Sequence, residues 1–429
     1  MAPQAPHALM GENSDDRLLT VGYALLTAAA FFGFAISSFL PVAVGMESRP
    51  FSVAYRAMVI LGSLIFVWRA AHMRRAILPS QFLWPVALLA VMLVLRMVWD
   101  SLVTPLPMDL TWDDFWLETI AISVIPTLPY VYLPSSGALR MARMMCIAAG
   151  IVAVVSIAAG AYLSVRSFTS GSRLTTDVLH PIGIGEVGVS LFVVSLASFG
   201  DTWKISSKFI VMLARAGSAA MGVVLCIVAA SKGPLLSLAA VSLVMFVQRQ
   251  FVLSRGRRVV EIAFAAVAAT GLAIAAVFLA KHGLLTIYDR FSDITSDRST
   301  ALRVQAWFGA LSQYDSSPLL GDNFIELSTR FYPHNTVLET MMAVGVFGLL
   351  LLLLILALSS AAALGLFIQA HDLSWVGLLF LQHAMSGMLS GSIYRTGGYW
   401  ISILMVVGAF MTLRRVNTQA MPGALPSAP

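Results

Sequence analysis

Residues 281–333 read KHGLLTIYDRFSDITSDRSTALRVQAWFGALSQYDSSPLLGDNFIELSTRFYP, and residues 334–357 continue HNTVLETMMAVGVFGLLLLLLILA. The first stretch is the one sizeable polar island in the chain. The second opens on His334 and Asn335 and runs into an apolar segment long enough to cross a bilayer. A protein that spends most of its length on apolar helices keeps its chemistry in the polar exceptions. The island carries Arg290, Arg298, Arg303 and Arg330, with a histidine at its exit, and is expected to be an active-site loop.

Working outward, the composition agrees. Of 429 residues 59% are hydrophobic and only 11% charged, with a mean hydropathy of +0.85. A soluble chain carries roughly 25% charged residues. Apolar runs of about 20 residues recur along nearly the whole length. The expected fold class is therefore an all-α polytopic membrane protein. The net charge of +6 then marks cytoplasmic loops and lipid headgroups rather than nucleic acid. Cys146 and Cys226 both fall in apolar runs, so neither a disulfide nor a thiolate zinc site is expected. Residues 1–17 are polar with no signal-peptide pattern, and the first helix reads as a retained anchor.

Twelve spans fit the pattern: about 18–40, 52–67, 82–99, 115–133, 144–163, 182–199, 216–230, 235–252, 260–280, 334–358 or beyond, 375–389 and 399–413. Basic clusters at Arg69, Arg74 and Arg75, at Arg140 and Arg143, at Lys204 and Lys208, at Arg255, Arg257 and Arg258, and at Arg414 and Arg415 fall on one side. That side is the cytoplasm, with both termini inside. The chain divides into a cytoplasmic segment 1–17, spans one to nine over 18–280, and the large outer loop 281–333. Spans ten to twelve follow over 334–413, then a tail 414–429. Segment 359–372 lacks lysine and arginine and is consistent with an extension of the tenth helix. The residues after Arg415 are expected to be disordered.

Within the island Ser299 or Thr300 is placed to cap a short helix through about Gln313, with Val304, Trp307 and Leu311 along one face. Arg303 and Trp307 lie four apart, so the ring is placed to buttress the guanidinium. Pro333 biases the preceding chain away from helix, and Asn335 is placed to cap the tenth span, which fixes His334 at the membrane boundary. Asn335 and Glu339 share a helix face; Glu339 either orients the site or only favours the helix N-terminus. Arg166, Arg173, Lys232, Arg290, Arg298, Arg303, Arg330 and Arg395 all fall on the outer side, where short translocated loops are depleted of cations. An anionic ligand such as a diphosphate accounts for that set; headgroup anchoring or pairing with loop aspartates is the alternative.

R-x-x-x-W (Arg303, Trp307), S-P-L-L-G (Ser317 to Gly321), H-N-x-x-L-E (His334 to Glu339) and G-x-x-G (Gly345, Gly348), in this order between two late spans, resemble the O-antigen ligase and polymerase superfamily of bacterial membrane glycosyltransferases. The resemblance covers about 290–354. It implies a GT-C-like bundle with one large periplasmic loop between helices nine and ten. It also implies an inner-membrane enzyme working at the periplasmic face without metal or cofactor. The implied donor is a glycan on undecaprenyl diphosphate. The acceptor is lipid A-core for a ligase, or another lipid-linked repeat for an O-antigen or exopolysaccharide polymerase, with a small lean to ligase. The same resemblance gives Arg303 the donor's diphosphate and His334 the acceptor's proton. Lys232 stands in Ser-Lys-Gly-Pro where the family commonly has Ser-Arg-Gly, and keeps the charge but not the fork. Arg173 and His180, in SRLTTDVLHPIGIGE, resemble its Arg-Leu and His-Pro elements. Substrate contacts are thus expected from Arg173, Arg290, His180, Asn335, Glu339 and Trp307.

Other readings compete at particular residues. Asp100, Asp109, Asp113 and Asp114 are a candidate outer-loop acidic set for a divalent metal, though the loop has no Asp-x-Asp pair. Glu186, near the outer end of the sixth span, is a functional candidate because ionisable groups in membranes are costly; Arg173 or His180 is placed to pair with it. Tyr394, Arg395 and Tyr399 read as an interfacial belt. A lipid-linked glycan transporter or flippase is the alternative class. Arg56, Arg96 and Glu118 near span ends do not make a convincing pathway for one.

Overall fold

The computed structural model describes residues 14–103, 112–163, 174–176, 178–196, 208–252, 298–369 and 372–419. The described residues form helices joined by loops, with no strand among them, and six helices are long and apolar enough to cross a membrane. This is the architecture of a multi-pass membrane protein. In chain order these six are α1 (Asp15–Val44), α2 (Ser48–His72), α3 (Ser80–Val103), α5 (Ser136–Leu163), α10 (Thr336–Ile368) and α12 (Gly397–Gln419). Shorter apolar helices are α4 (Phe115–Val131) and α6 (Pro181–Leu196). α7 (Lys208–Ala229), α8 (Lys232–Val252) and α11 (Ser374–Leu389) complete the bundle, and α9 (Arg298–Ser316) lies in the loop. Eleven of the twelve segments read from sequence coincide with a helix; the ninth, 260–280, lies outside the described residues.

Three elements depart from expectation for physical reasons. α10 runs through Ile368, so 359–368 extends it. α4 is not a regular α-helix: a π segment, Thr119–Val124, passes into a 3-10 segment, Ile125–Val131. Pro126 and Pro129 lack the N–H that a continued α-helix needs. α12 reaches Gln419 although disorder was expected after Arg415, because Val416 to Gln419 contain no breaker and Thr418 Oγ1 donates back to the Arg414 carbonyl.

Helices α6 and α11 form the centre. Both are apolar on all sides, and such helices are buried ones: Ile184, Val189, Leu191, Trp375 and Leu378 have essentially no exposure. α6 and α7 approach until their backbones touch, since a Cβ on Gly188 would sit 2.6 Å from the Gly222 carbonyl oxygen. Such small-residue contacts drive helix association where lipid removes the hydrophobic driving force. α2 and α3 form the periphery, with Trp68 and Trp84 turned outward. At one end Arg69 and Arg75 on the end of α2 pair with Asp15 and Asp16 of α1.

The tenth helix is broken at Val344 and Gly345, where Gly345 takes φ 67° and ψ −162°. The Met342 carbonyl and the Val346 N–H, which would bond to each other in a regular helix, are thereby freed. Pro318 of the SPLLG segment and Asp322 just after it replace the two partners. Asp322 N–H donates to the Met342 carbonyl (2.8 Å) and Val346 N–H donates to the Pro318 carbonyl (2.8 Å). The loop is therefore wedged into the helix that carries His334.

Candidate active site

A cavity of about 530 Å³ opens at the end of the bundle that carries α9, within the range of small-ligand sites. Its wall includes His180, Lys232, Arg303, Arg330, Tyr332 and His334. Four residues singled out from sequence as catalytic or binding groups thus converge on it from four segments. No carboxylate appears among its described lining residues. Three cationic side chains therefore face one space.

Each wall residue is positioned by identifiable contacts. Lys232 stands at the start of α8, where the helix dipole adds positive potential. His180 accepts the Ile182 N–H on Nδ1 (3.4 Å), at the start of α6. Its pKa is lowered, first by burial and then by the Arg303 charge. Arg303 lies on α9, which runs from Arg298 to Ser316, so Ser299 and Thr300 lie inside the helix rather than capping it and it ends three residues beyond Gln313. The buried face of that helix is Ala306, Ala310 and Gln313; Val304 and Leu311, expected on a packed face with Trp307, are 39% and 40% exposed. Packing is against the loop's own return, which the heptad-like spacing does not specify. Trp307 donates from Nε1 to the Pro333 carbonyl (2.8 Å), so it fixes the residue before His334.

Gln313 binds the return loop three times. Its Nε2 donates to Asp322 Oδ2 and to the Ile325 carbonyl, and its Oε1 accepts from Leu327 N–H (2.9 Å). Glu326 then accepts from the N–H groups of Ser328 and Thr329 and from the Thr329 hydroxyl, which closes a tight turn before Arg330. Arg330 and His334 both adopt the left-handed region, φ 58° and φ 56°. Non-glycine residues there cost of order 1–3 kcal/mol each and concentrate at functional sites. From α3, Asp100 accepts the Phe324 N–H (2.8 Å) and pairs with Arg96, whose guanidinium donates to the Gly321 carbonyl.

At the exit of the loop Asn335 caps α10, as its position implied. Its Oδ1 accepts from Val337 N–H (3.0 Å) and Leu338 N–H (3.1 Å). His334 sits one residue earlier, its ring 4.5 Å from that of Tyr332 in an edge contact. His334 Nδ1 lies 3.3 Å from the Ser390 carbonyl oxygen. A carbonyl only accepts, so this bond places the proton on Nδ1 and leaves Nε2 as the acceptor. Burial pushes the His334 pKa down to about 4; the Ser390 bond opposes this, and the charges of Arg303 and His180 add to it. Burial likewise pushes Tyr332 up to about 12, keeping its phenol protonated.

Glu339 does more than favour a helix start. It is fully buried and accepts from the Ser392 hydroxyl (2.8 Å) and from Ile393 N–H (2.7 Å). That ties α10 to the turn between α11 and α12, two residues from the carbonyl that orients His334. The expected aromatic belt in this turn is not found. Tyr394 is 5% exposed and Tyr399 has no exposure, because Tyr394 stacks with Phe115 at 4.2 Å and packs on Phe324 at 5.4 Å. Arg395 pairs with Glu118 of α4 (2.8 Å).

Of the acidic set, only Asp100 and Asp113 have described side chains. Asp100 is buried and engaged with Arg96 and Phe324, while Asp113 is exposed. Asp109 lies outside the described residues. So do Arg166, Arg173 and Arg290, and the Arg298 side chain is not described. Glu186 takes a hydrogen bond from Ser386. Sequence reasoning missed Tyr332 and the Ser390 carbonyl. The Phe-Tyr-Pro before His334 was a usable signal for the first; nothing local signals the second. Compared with known proteins, the chain matches no family profile and no curated sequence.

Proposed function

We propose that the chain is a periplasm-facing inverting glycosyltransferase of the bacterial inner membrane. It moves a glycan from undecaprenyl diphosphate to an acceptor hydroxyl, as an O-antigen ligase with lipid A-core as acceptor. The observation that carries this reading is the cavity that joins Arg303, Arg330 and Lys232 to His334 with no carboxylate among its described lining residues. A diphosphate leaving group matches three converging cations, and a hydroxyl nucleophile matches a histidine whose Nε2 is free to accept. The topology that goes with it has twelve spans and both termini in the cytoplasm.

In the reaction the acceptor oxygen forms a bond to the donor's anomeric carbon as the bond to the diphosphate breaks. Arg303, Lys232 and Arg330 hold the electron pair that leaves with the diphosphate, a stabilisation worth about 10²–10³ in rate per donor in comparable sites. The acceptor proton goes to His334 Nε2, and the Ser390 carbonyl stabilises the imidazolium through Nδ1–H. One displacement inverts the anomeric centre without a covalent intermediate.

The test uses purified protein, a synthetic polyprenyl-diphosphate glycan and a chelator, with lipid A-core supplied or withheld. Product formed only with lipid A-core, and reduced about 10²-fold or more in both His334→Ala and Arg303→Ala, is the expected result. A ladder of repeats without that lipid assigns a polymerase using the same residues. Wild type that transfers nothing, with or without divalent metal, refutes glycosyltransfer.

A further inference from the structure

The other side of α6 borders a second cavity, of about 340 Å³. Leu179 lines this one and His180 the first, so one step of backbone separates their walls. α11 bridges them as well. Ser386 binds Glu186 in the second cavity, and Ser390, one turn on, binds His334 in the first.

His383 is the unusual group here. It is 6% exposed and lines the cavity, its ring lies on that of Phe31 at 5.0 Å, and both ring nitrogens lack a hydrogen-bond partner. Two orphaned nitrogens on a buried side chain ask for a ligand with both a donor and an acceptor. Glu186, on the opposite wall, takes one hydrogen bond on Oε1 and has none on its other oxygen among the described residues. Arg56 and Arg395 are the other charged lining residues, and Tyr55, Ser190 and Thr396 add polar groups. Arg395 is already held in a two-point pair by Glu118. With Arg395 paired to Glu118, which is not itself a lining residue, Arg56 and Glu186 are the remaining lining groups of opposite sign. The described wall of the first cavity carries three cations. An anionic head fits the first; a neutral head with many hydroxyls, each able to donate and accept, fits the second. The remaining wall is apolar and aromatic, and reaches Val59 on α2, beside the outward-facing Met58 (66% exposed) and Leu61 (60% exposed).

We propose that the second cavity binds the sugar head of a neutral glycosylated amphiphile, with its chain lying along the outward face of α2. Resting on the glycosyltransfer reading above, the sugar held here stands for a neutral outer sugar of the acceptor's glycan, which then reaches His334 past the 179–183 backbone.

The test places the protein in nanodiscs of zwitterionic phospholipid and adds a dodecyl maltoside carrying a diazirine in its chain. A matched dodecyl phosphate probe is run beside it, and labelled peptides are mapped by mass spectrometry. The maltoside probe is expected to label residues around Phe31, Tyr55 and Val59, with competition by plain dodecyl maltoside. His383→Phe keeps the ring on Phe31 but removes both nitrogens, and Glu186→Gln keeps the shape. Each is expected to lower this labelling about tenfold, the effect of losing one or two hydrogen bonds to a ligand. Labelling no stronger than on the outward face of α3, or equal labelling by the phosphate probe, overturns the site. In a transfer assay the same variants are expected to raise the acceptor KM about tenfold and leave the donor KM unchanged; a change confined to the donor overturns the acceptor assignment. Wild-type labelling at the cavity without any transfer refutes glycosyltransfer and leaves the sugar site standing. Transfer without labelling refutes the sugar site alone.

Discussion

Replacing Gly345 with alanine attacks the joint between the loop and the helix that carries His334. Gly345 occupies a backbone region that is essentially restricted to glycine, and forcing another residue there costs of order 1–3 kcal/mol. A Cβ at this position would stand 2.3 Å from the Leu319 oxygen, 2.4 Å from its carbonyl carbon and 2.7 Å from Leu320 N. These are backbone atoms of the wedge, so no side chain can swing aside. Relief requires the wedge to withdraw, and withdrawal breaks the bonds from Asp322 to Met342 and from Val346 to Pro318. Unmade buried hydrogen bonds cost about 1–3 kcal/mol per group. The strain and the two freed helix groups, the Met342 carbonyl and the Val346 N–H, sum to about 6 kcal/mol. At the roughly 1 °C per kcal/mol that unfolding-entropy scaling gives for a chain of 429 residues, that is a melting-temperature fall on the order of 6 °C. Thermal unfolding in detergent measures it, with Gly217→Ala as the reference. A Cβ on Gly217 meets nothing within 4 Å and lies within α7, so alanine there is expected to be neutral or stabilising by about 0.5–1 kcal/mol. Gly345→Ala melting within about 2 °C of wild type would refute the wedge as the joint between loop and helix.

Three further outcomes follow from the same contacts. His334 is neutral above its depressed pKa of about 4 and protonated below it. The acid limb of kcat/KM for the free enzyme should therefore fall only toward pH 4, and a limb centred near pH 6.5 would remove His334 as the base. Glu339→Ala leaves the Ser392 hydroxyl and Ile393 N–H without their acceptor. It is expected to destabilise by about 2–4 kcal/mol in a denaturation assay, and unchanged stability would show that the turn is held otherwise. Asp100→Asn leaves Arg96 without its counter-charge in a largely buried setting and is expected to cost about 3 kcal/mol. Divalent metal should not restore the loss, whereas metal-dependent recovery would revive the acidic loop as a binding site.

The spans were legible because lipid imposes length and apolarity on each helix separately, and each such signal is local. The short loop helix, the Asn335 cap and the place of His334 were legible for the same reason. Pro-His-Asn ahead of an apolar run specifies a helix start through its own backbone chemistry. Lys232 and His180 were legible as candidates only, since nothing in Ser-Lys-Gly-Pro or Leu-His-Pro says that the two meet across 52 residues of chain. What escaped were partners distant in sequence. The carbonyl that sets the His334 tautomer comes from Ser390, 56 residues later. Glu339 had an adequate local explanation at a helix N-terminus, which hid its hold on Ser392. Tyr394 and Tyr399 were misread because an amphipathic ring near a span end suits an interface and an interior equally well. Only the presence of Phe115 and Phe324 beside Tyr394 decides between them.

A base with a pKa near 4 is weak, and its weakness has an identified origin. Burial is the largest cause, and the positive charges of Arg303 and His180 deepen it. Those cations face the cavity in which the proposed diphosphate lies. An anion seated there opposes their field at His334, and an opposite charge nearby favours the imidazolium. In the proposed reaction the base therefore gains strength when the donor arrives, and further as charge builds on the departing diphosphate. The cations of the described wall serve the chemistry in this way. They are placed to bind the leaving group, and Arg303 among them adds to the burial that keeps His334 neutral. A carboxylate in the cavity wall would cancel part of their field, weaken the hold on diphosphate and leave the base less dependent on the donor. The convergence of these cations on the described wall, rather than the presence of any one arginine, is what makes this arrangement work.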